Sequence, residues 1–263
     1  MSLKNHLSQY FRKSLGPLIK FIMTVFFGEI ITNKPLPKTV FNLYYPVAKH
    51  LIFLFKSSAF YEEDIKKIIL DEKLIKQNNL VFDIGANIGQ YMLFFADAVG
   101  PNGRVVSFEP NPEAFKFLSL NKVLNEIPHV SLCKSAVGEE EGIINLGIDN
   151  GTGGRSSSTI DSANFETFEI VEQTTLASAV SRFGVPDFVK IDIEGAEENV
   201  FFNRSIIGGL EKTIFIIEVR KESKEGIFST FANYRCFCVE TDRDIQCASE
   251  IPDFANLFFF PLS

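Results

Sequence analysis

Short apolar runs of strand length alternate with helix-like segments along most of this 263-residue chain. The alternation predicts an α/β domain, with a mostly parallel sheet and helices on both of its faces. The expected strands are residues 80–84, 104–108, 130–134, 187–192 and 213–218, and the expected helices lie near 62–70, 88–98, 111–124, 175–183 and 195–202. Two later apolar stretches, 235–240 and 257–260, have no strong helix between them. They fit an antiparallel hairpin at one edge, which makes seven strands.

Residues 138–174 interrupt the alternation. Residues 143–148 resemble one more strand, and the polar run Gly-Thr-Gly-Gly-Arg-Ser-Ser-Ser then breaks it. We expect this insertion to lie over the carboxyl ends of the parallel strands, where ligands bind in this architecture. Arg155 within it could meet an anionic group of a substrate, and the alternative is a solvated loop arginine.

The first 58 residues lie outside the sheet pattern. Residues 15–31 and 47–55 are apolar, but Lys20 and Glu29 leave an uncharged stretch well short of the ~20 residues that cross a bilayer. No small-residue cleavage site follows, so we do not predict a signal peptide. We expect an N-terminal helical segment that is dispensable for ligand binding, packs on the main domain or in a homo-oligomer, and precedes a cytoplasmic domain over 59–263. Attachment to a membrane surface is the alternative.

Composition excludes few functions. The chain has 26 basic and 33 acidic side chains, a net charge of -7, which argues against a sequence-independent grip on nucleic acid. The cysteines are too few for a disulfide scaffold, and the Cys236-Phe-Cys238 spacing lacks the two-residue gap of a zinc knuckle. We therefore interpret them as reduced thiols; they are Cys133, Cys236, Cys238 and Cys247.

The stretch LVFDIGANIGQ, residues 80–90, places an acid and a glycine turn directly after a strand. A dinucleotide fingerprint would need glycines at 85, 87 and 90, but positions 87 and 90 are Asn and Gln, so pyrophosphate binding is disfavoured. Asn87 still tolerates a positive φ, so the turn between Gly85 and Gly89 can be tight. Asp83 could accept hydrogen bonds from loop amides and from an ammonium group of a ligand.

Glu109 ends the next strand, twenty residues beyond Gly89, where an acid can accept from both ribose hydroxyls of a nucleoside. Each signal is weak alone. In the order strand, turn, helix, strand, acid, they favour a nucleoside that carries an amino-acid tail. S-adenosylmethionine is such a molecule.

Three motifs, VFDIGANIGQY, VVSFEPNP and DFVKIDIEGAEENVF, together resemble the FkbM family of S-adenosylmethionine-dependent methyltransferases over about residues 60–263. The resemblance implies a class I, Rossmann-like fold and methylation of an oxygen, often a sugar or polyketide hydroxyl. It also implies which residues contact each part of this cofactor. The methionine end would contact Asp83, Gly85, Asn87 and Gly89; the ribose would contact Glu109; and the adenine would contact Ser135 and Ala136. The family commonly has Thr-Leu-Asp where this chain has Thr-Leu and Ala177, a departure that would change the substrate or the loop.

A hydroxyl is a poor nucleophile, so an oxygen methyltransferase usually adds a base or a metal. Asp192, Glu194 and Glu218 follow or close two neighbouring strands and should converge on the cleft, with Asp192 our first choice of general base. The same acids could hold Mg²⁺, which the spacing leaves open. Alternatively, Glu194 caps the following helix and pairs with a lysine, at position 190 or 212. None of the histidines (His6, His50 and His129) lies in these motifs.

The sequence therefore favours an O-methyltransferase acting on a hydroxyl of a sugar, glycan or secondary metabolite. Two alternatives remain: a methyltransferase-fold binding module without activity, and an N-methyltransferase acting on a small molecule or nucleic acid. The first would have lost the loop or the acids, and both are present. The second would usually show a basic face or an Asn-Pro-Pro-Tyr-like turn, and we find neither.

Overall fold

The centre of the molecule is a twisted sheet of strands that mostly run parallel. The computed structural model describes residues 31–36, 39–46, 62–148, 156–157 and 167–262. The strands are β1 (Ile31–Pro35), β2 (Asn42–Pro46), β3 (Leu80–Ile84), β4 (Arg104–Phe108), β5 (Val130–Cys133), β6 (Ser135–Gly138), β7 (Gly142–Ile148), β8 (Ser156–Ser157), β9 (Thr167–Thr175), β10 (Phe188–Ile191), β11 (Ile214–Arg220), β12 (Tyr234–Cys238), β13 (Arg243–Ile245) and β14 (Phe254–Pro261). The α-helices are α1 (Glu63–Asp71), α2 (Gln90–Val99), α3 (Pro112–Leu124), α4 (Leu176–Phe183), α5 (Glu197–Val200) and α6 (Lys224–Thr230). Two 3₁₀ helices span Arg204–Gly209 and Ala248–Glu250.

The main sheet has eight strands in the order β13-β12-β14-β11-β10-β3-β4-β5. From β11 to β5 all neighbours are parallel, and β14, β12 and β13 are antiparallel. The predicted parallel sheet and antiparallel edge are confirmed, but the count of seven is wrong. The eighth strand, β13, has only three residues, of which Ile245 alone is buried, so it carries no apolar pattern to read.

Helices cover both faces of this sheet, as the alternation predicts. Buried side chains of α1, α2 and α3 share one apolar cluster, and those of α4, α5 and α6 share the other. Sheet and helix aromatics meet edge-on at the second cluster, where the ring centres of Phe82 on β3 and Phe183 on α4 lie 6.4 Å apart. The helix expected near 195–202 shortens to the four residues of α5, and α6 was not predicted.

Local signals explain where the better-defined helices begin. Asn111 precedes α3 and accepts hydrogen bonds from the backbone N–H groups of Glu113 and Ala114, with Pro112 in the first helical position. Thr175 precedes α4 and accepts from the N–H of Ser178. These caps satisfy backbone N–H groups in the first turns of the two helices, directly after β4 and β9.

The insertion forms a second, four-stranded sheet in the order β6-β9-β7-β8. The strand predicted at 143–148 is confirmed as β7, whereas β8 and β9 were not predicted. Leu146 and Val171 are buried on the inner face of this sheet. Arg155 lies outside the described residues.

Part of the predicted N-terminal helical segment is instead a β-hairpin of β1 and β2. Prolines at 35 and 46 bound these strands, and proline opposes helix continuation because it lacks an N–H donor. Leu36, Leu43 and Tyr45 are buried in the same apolar cluster as α2 and α3. The two helices predicted at 15–31 and 47–55 lie outside the described residues, apart from Ile31, and the domain boundary at 58 stays a prediction.

No helix among the described residues is both long and apolar enough to cross a membrane. All four cysteines are free thiols, as expected. Cys236 and Cys238 are buried in the core, whereas Cys247 is exposed.

We expect Leu43→Ala to lower the free energy of unfolding by about 2–5 kcal/mol, because it leaves a cavity where the hairpin meets the core. Urea denaturation of the full chain measures this. Val40→Ala is the matched control: Val40 lies in the same hairpin but is 69% exposed, so its change should stay within about 0.5 kcal/mol. Equal, small effects of the two substitutions would mean that the hairpin is not part of the folded core.

Candidate active site

The glycine loop between β3 and α2 has the left-handed conformations that its sequence predicts. Gly85, Asn87 and Gly89 have φ angles of 84°, 49° and 95°. A Cβ atom on Gly85 would lie 1.9 Å from the backbone oxygen of Asp192, at the end of the neighbouring strand β10. Only glycine fits there, because both the φ angle and this close approach exclude a side chain.

Glu109 holds the loop in place. Its Oε2 accepts the backbone N–H of Asn87 at 2.8 Å, and its Oε1 accepts that of Asn111 at 2.8 Å. Burial raises the pKa of Glu109 to about 7, against the lowering effect of these two hydrogen bonds. Each carboxylate oxygen keeps a further lone pair, so the group can also accept from a ligand.

Asp83 does not make the hydrogen bonds to loop amides that its position suggested. It is fully buried, and neither carboxylate oxygen has a hydrogen-bond partner among the described residues. The expectation that it accepts loop amides is therefore wrong: Glu109 accepts one of these, and the N–H groups of Gly85 and Ala86 donate to the carbonyl of Phe108. Burial raises the pKa of Asp83 to about 6, although the charge of Lys190 opposes the shift.

A pocket opens where the loop, the strand ends and the second sheet meet. Its lining includes Gly85, Asn87, Glu109, Ser135, Ala136, Asp192 and Glu194 from the predicted set. The structure thus brings together residues that are far apart in sequence. Three predicted residues, Asp83, Gly89 and Glu218, do not line it. The apolar Leu146 and Val137 do, which the sequence could not show because the course of the insertion was unknown.

A chain of polar groups adjoins the pocket at Asp192. The Lys190 ammonium lies 2.9 Å from Asp192 Oδ2 and 4.6 Å from the centre of the Tyr91 ring. The Tyr91 hydroxyl donates to Glu62 Oε2 at 2.6 Å. Burial alone would lower the pKa of Lys190, but the carboxylates of Asp192, Glu62 and Asp83 outweigh it and raise that pKa. Lys190 therefore stays charged beside Asp192.

Glu218 lies next to these polar groups. Burial raises its pKa to about 8, and the negative charges of Asp192 and Glu194 add to the shift. Arg220 Nη2 lies 3.4 Å from Glu218 Oε1, which partly opposes the shift. Glu218 therefore holds a proton more tightly than an exposed glutamate does.

The turn after β10 is held by a residue that the sequence did not single out. Glu197 is buried, and its Oε1 accepts the backbone N–H groups of Ile193 and Gly195. The capping of α5 considered for Glu194 is wrong, because that helix has no side-chain cap, and Glu197 instead ties the turn that precedes it. Glu194 has a φ of 61° and forms an ion pair with Arg220, not with the lysines considered for it.

Three carboxylates could hold a metal ion, but they are not the predicted three. Glu62, Asp192 and Glu218 each offer an oxygen, and these oxygens lie within 4.8 Å of one another. Glu194 is not in the group. The Lys190 ammonium already places a positive charge against Asp192, which reduces the need for a cation there.

The remaining candidates lie apart from the pocket or have structural contacts. His129 Nε2 lies 3.1 Å from the carbonyl oxygen of Ala96, a contact between elements of the fold. His6 and His50 lie outside the described residues. Ala177 is exposed on the first turn of α4, so the missing family Asp would lie at the surface.

Comparison with known proteins shows similarity to methyltransferases. The family model for the Methyltransferase FkbM domain matches residues 83–240. Methyltransferase sdnD of Sordaria araneosa is 26% identical over 152 residues, 57% of this chain and 56% of that protein. The 31-O-demethyl-FK506 methyltransferase FkbM of Streptomyces tacrolimicus is 40% identical over 70 residues, 26% of each chain. The matches thus span about half and about a quarter of these relatives' lengths.

Solved structures include a Methyltransferase FkbM from Methylobacillus flagellatus, 16% identical, with a TM-score of 0.47 over 70% of this chain and 44% of that one. A SAM-dependent O-methyltransferase from Thermotoga maritima is 12% identical, with a TM-score of 0.44 over 84% of this chain and 74% of that one.

We expect Gly85→Ala to lower the free energy of unfolding by at least about 3 kcal/mol, since the new methyl group would overlap the backbone of Asp192 at a φ that disfavours side chains. Thermal and urea unfolding would measure the loss. Gly142→Ala is the control, because a Cβ there meets nothing within 4 Å. If Gly85→Ala were as stable as Gly142→Ala, the close approach of the loop to β10 would be wrong.

Proposed function

This chain belongs to the FkbM methyltransferase family, and we propose that it transfers the methyl group of S-adenosylmethionine to a hydroxyl oxygen of a sugar, glycan or secondary metabolite. The observation that carries the proposal is the pocket itself. One cavity is lined both by the loop that Glu109 holds and by the Asp192 carboxylate. A binding site for the methyl donor thereby adjoins a group that can take a proton from an acceptor.

The residues of the pocket fit the parts of the donor. S-adenosylmethionine supplies a methyl group already activated on a sulfonium, so the protein has mainly to orient the acceptor and exclude water. We assign the Glu109 carboxylate to the ribose hydroxyls, and Ser135 and Ala136 to the adenine, beside Leu146. Gly85, whose backbone is bare, and Asn87 are assigned to the methionine end.

Asp192 is the base that we propose for the acceptor hydroxyl. As the acceptor oxygen bonds to the methyl carbon, the carbon–sulfur bond breaks, the hydroxyl proton passes to the Asp192 carboxylate, and neutral S-adenosylhomocysteine remains. The Lys190 ammonium, 2.9 Å away, holds the carboxylate in position. Glu218 lies beside it, so an ionised Glu218 would add a second negative charge that favours transfer of the acceptor proton.

An oxygen acceptor is supported over a nitrogen acceptor by the chemistry of the carboxylates. A hydroxyl must lose a proton as it is methylated, and the Asp192 carboxylate lines the pocket where it can receive that proton. One curated relative is named a 31-O-demethyl-FK506 methyltransferase, which supports the same choice. Mg²⁺ is not part of the proposal, because Lys190 already provides positive charge at Asp192.

The donor site is tested by ligand binding. We expect calorimetry to show S-adenosylhomocysteine binding, and Glu109→Gln to weaken it by about 1–3 kcal/mol through loss of charge-assisted hydrogen bonds. An analogue that lacks the two ribose hydroxyls separates ribose binding from support of the loop. The wild type should bind this analogue more weakly than S-adenosylhomocysteine, whereas Glu109→Gln should bind the two ligands with similar affinity. If the wild type bound the dinucleotide NAD and not S-adenosylhomocysteine, the proposed function would be wrong.

The base is tested by a matched pair of isosteric substitutions. We expect Asp192→Asn to lower kcat by about 10²–10⁴ while donor affinity is retained, because the lost interaction acts only as the methyl moves. In the wild type, kcat should rise with pH through about 8, as Glu218 ionises. Glu218→Gln should abolish that rise. A screen of sugars and nucleotide-sugars with labelled donor supplies the acceptor.

Near-wild-type turnover in Asp192→Asn, together with loss of the pH dependence in Glu218→Gln, would transfer the role of base to Glu218. Equal failure of both variants to bind the donor would instead show that these acids support the fold of the pocket.

A further inference from the structure

Asn121, in the middle of α3, joins two parts of the molecule that are far apart in the chain. It is fully buried. Its Oδ1 accepts the backbone N–H of Tyr44 at 2.7 Å, and its Nδ2 donates to the carbonyl of Tyr44 at 2.8 Å. The same Nδ2 donates to the carbonyl of Ile88, also at 2.8 Å. Both hydrogens of the amide are thus used, one for the N-terminal hairpin and one for the glycine loop.

Asn125 repeats half of this arrangement one helical turn further on. Its Oδ1 accepts from the N–H of Asn42 and its Nδ2 donates to the Asn42 carbonyl, each at 2.9 Å. The second hydrogen of its Nδ2 goes to the carbonyl of Asn121, within α3, and not to the loop. The two asparagines lie four residues apart on one face of the helix and bind alternate residues of β2, as a neighbouring strand would.

We propose that Asn121 is a positioning residue for the donor site, through which the N-terminal hairpin sets the conformation of the glycine loop. Ile88 lies between Asn87 and Gly89, both with positive φ, and its carbonyl accepts from the Asn121 amide. Asn121 holds that carbonyl, Glu109 holds the N–H of Asn87, and the two anchors together fix the tight part of the loop.

The coupling between the hairpin and the loop depends on the buried position of the Asn121 side-chain amide. A buried carbonyl that loses its donor is costly, because water cannot replace the bond without a cavity to hold it. Asn121 is itself kept in orientation by its two bonds to Tyr44, since a side-chain amide turned by half a rotation would present the wrong group to each backbone partner. Loosening the hairpin therefore loosens the group that holds the loop.

This inference rests on the proposed function, since it concerns the site for S-adenosylmethionine. It also changes the expectation that residues 1–58 are dispensable for ligand binding. Because coupling between two sites is reciprocal, a ligand that orders the loop must also stabilise the hairpin.

Asn121→Ala and Asn125→Ala test the proposal as a matched pair in the full chain. Both remove two bonds to β2, but only the first removes the bond to the loop. We expect Asn121→Ala to weaken S-adenosylhomocysteine binding about tenfold, the effect of one orphaned hydrogen bond, and Asn125→Ala less than about threefold. Circular dichroism establishes that each variant is folded. Equal affinities of the two folded variants would overturn the proposal.

Amide hydrogen exchange of the wild type gives a second measurement that needs no substitution. We expect S-adenosylhomocysteine to slow exchange in residues 42–46 as well as in the loop, with the distant edge strand 243–245 as the unaffected control. Slower exchange in the loop with no change at 42–46 would overturn the inference even if Asn121→Ala did not fold. Absence of any binding to the wild type would contradict the proposed function itself, which separates the two failures.

Discussion

The buried carboxylate of Glu109 is the interaction on which the site depends. One of its oxygens accepts the backbone N–H of Asn87, in the loop after β3, and the other accepts that of Asn111, just after β4. An acid at the end of β4 thus sets the position of the loop after β3, and the loop in turn can approach β10 only because position 85 has no side chain. The shape of the pocket therefore depends on the contacts between these strand ends and the glycine loop.

Much of this could be predicted from the sequence because its signals are local. The five parallel strands are apolar runs of ordinary length, and the order of strand, glycine turn, helix and acid is contiguous from 80 to 109. Positive φ at Asn87 follows from the residue type and its neighbours. The sequence thus predicts the part of the site whose residues are close together in the chain.

The parts that could not be predicted depend on contacts between distant segments. Glu62 reaches Tyr91 and the Asp192 region only through tertiary packing, and nothing near it in the chain marks that contact. The hairpin was missed because two five-residue strands interrupted by prolines have too short a pattern. The sequence alone favours Asp83 as the acceptor of the hydrogen bond from a loop amide because, like Glu109, Asp83 lies at the end of an apolar strand. The folded structure shows that Glu109 accepts this bond instead.

The backbone at Glu194 carries a cost that bears on how such a chain changes over generations. A residue with a side chain at a φ of 61° is less stable than glycine there by about 1–3 kcal/mol, and Arg220 holds the side chain in place. Selection for stability alone would favour glycine or asparagine at that position. The acid at this position therefore lowers thermal stability in exchange for a charged side chain beside Asp192, and selection for heat resistance in the laboratory is expected to replace it.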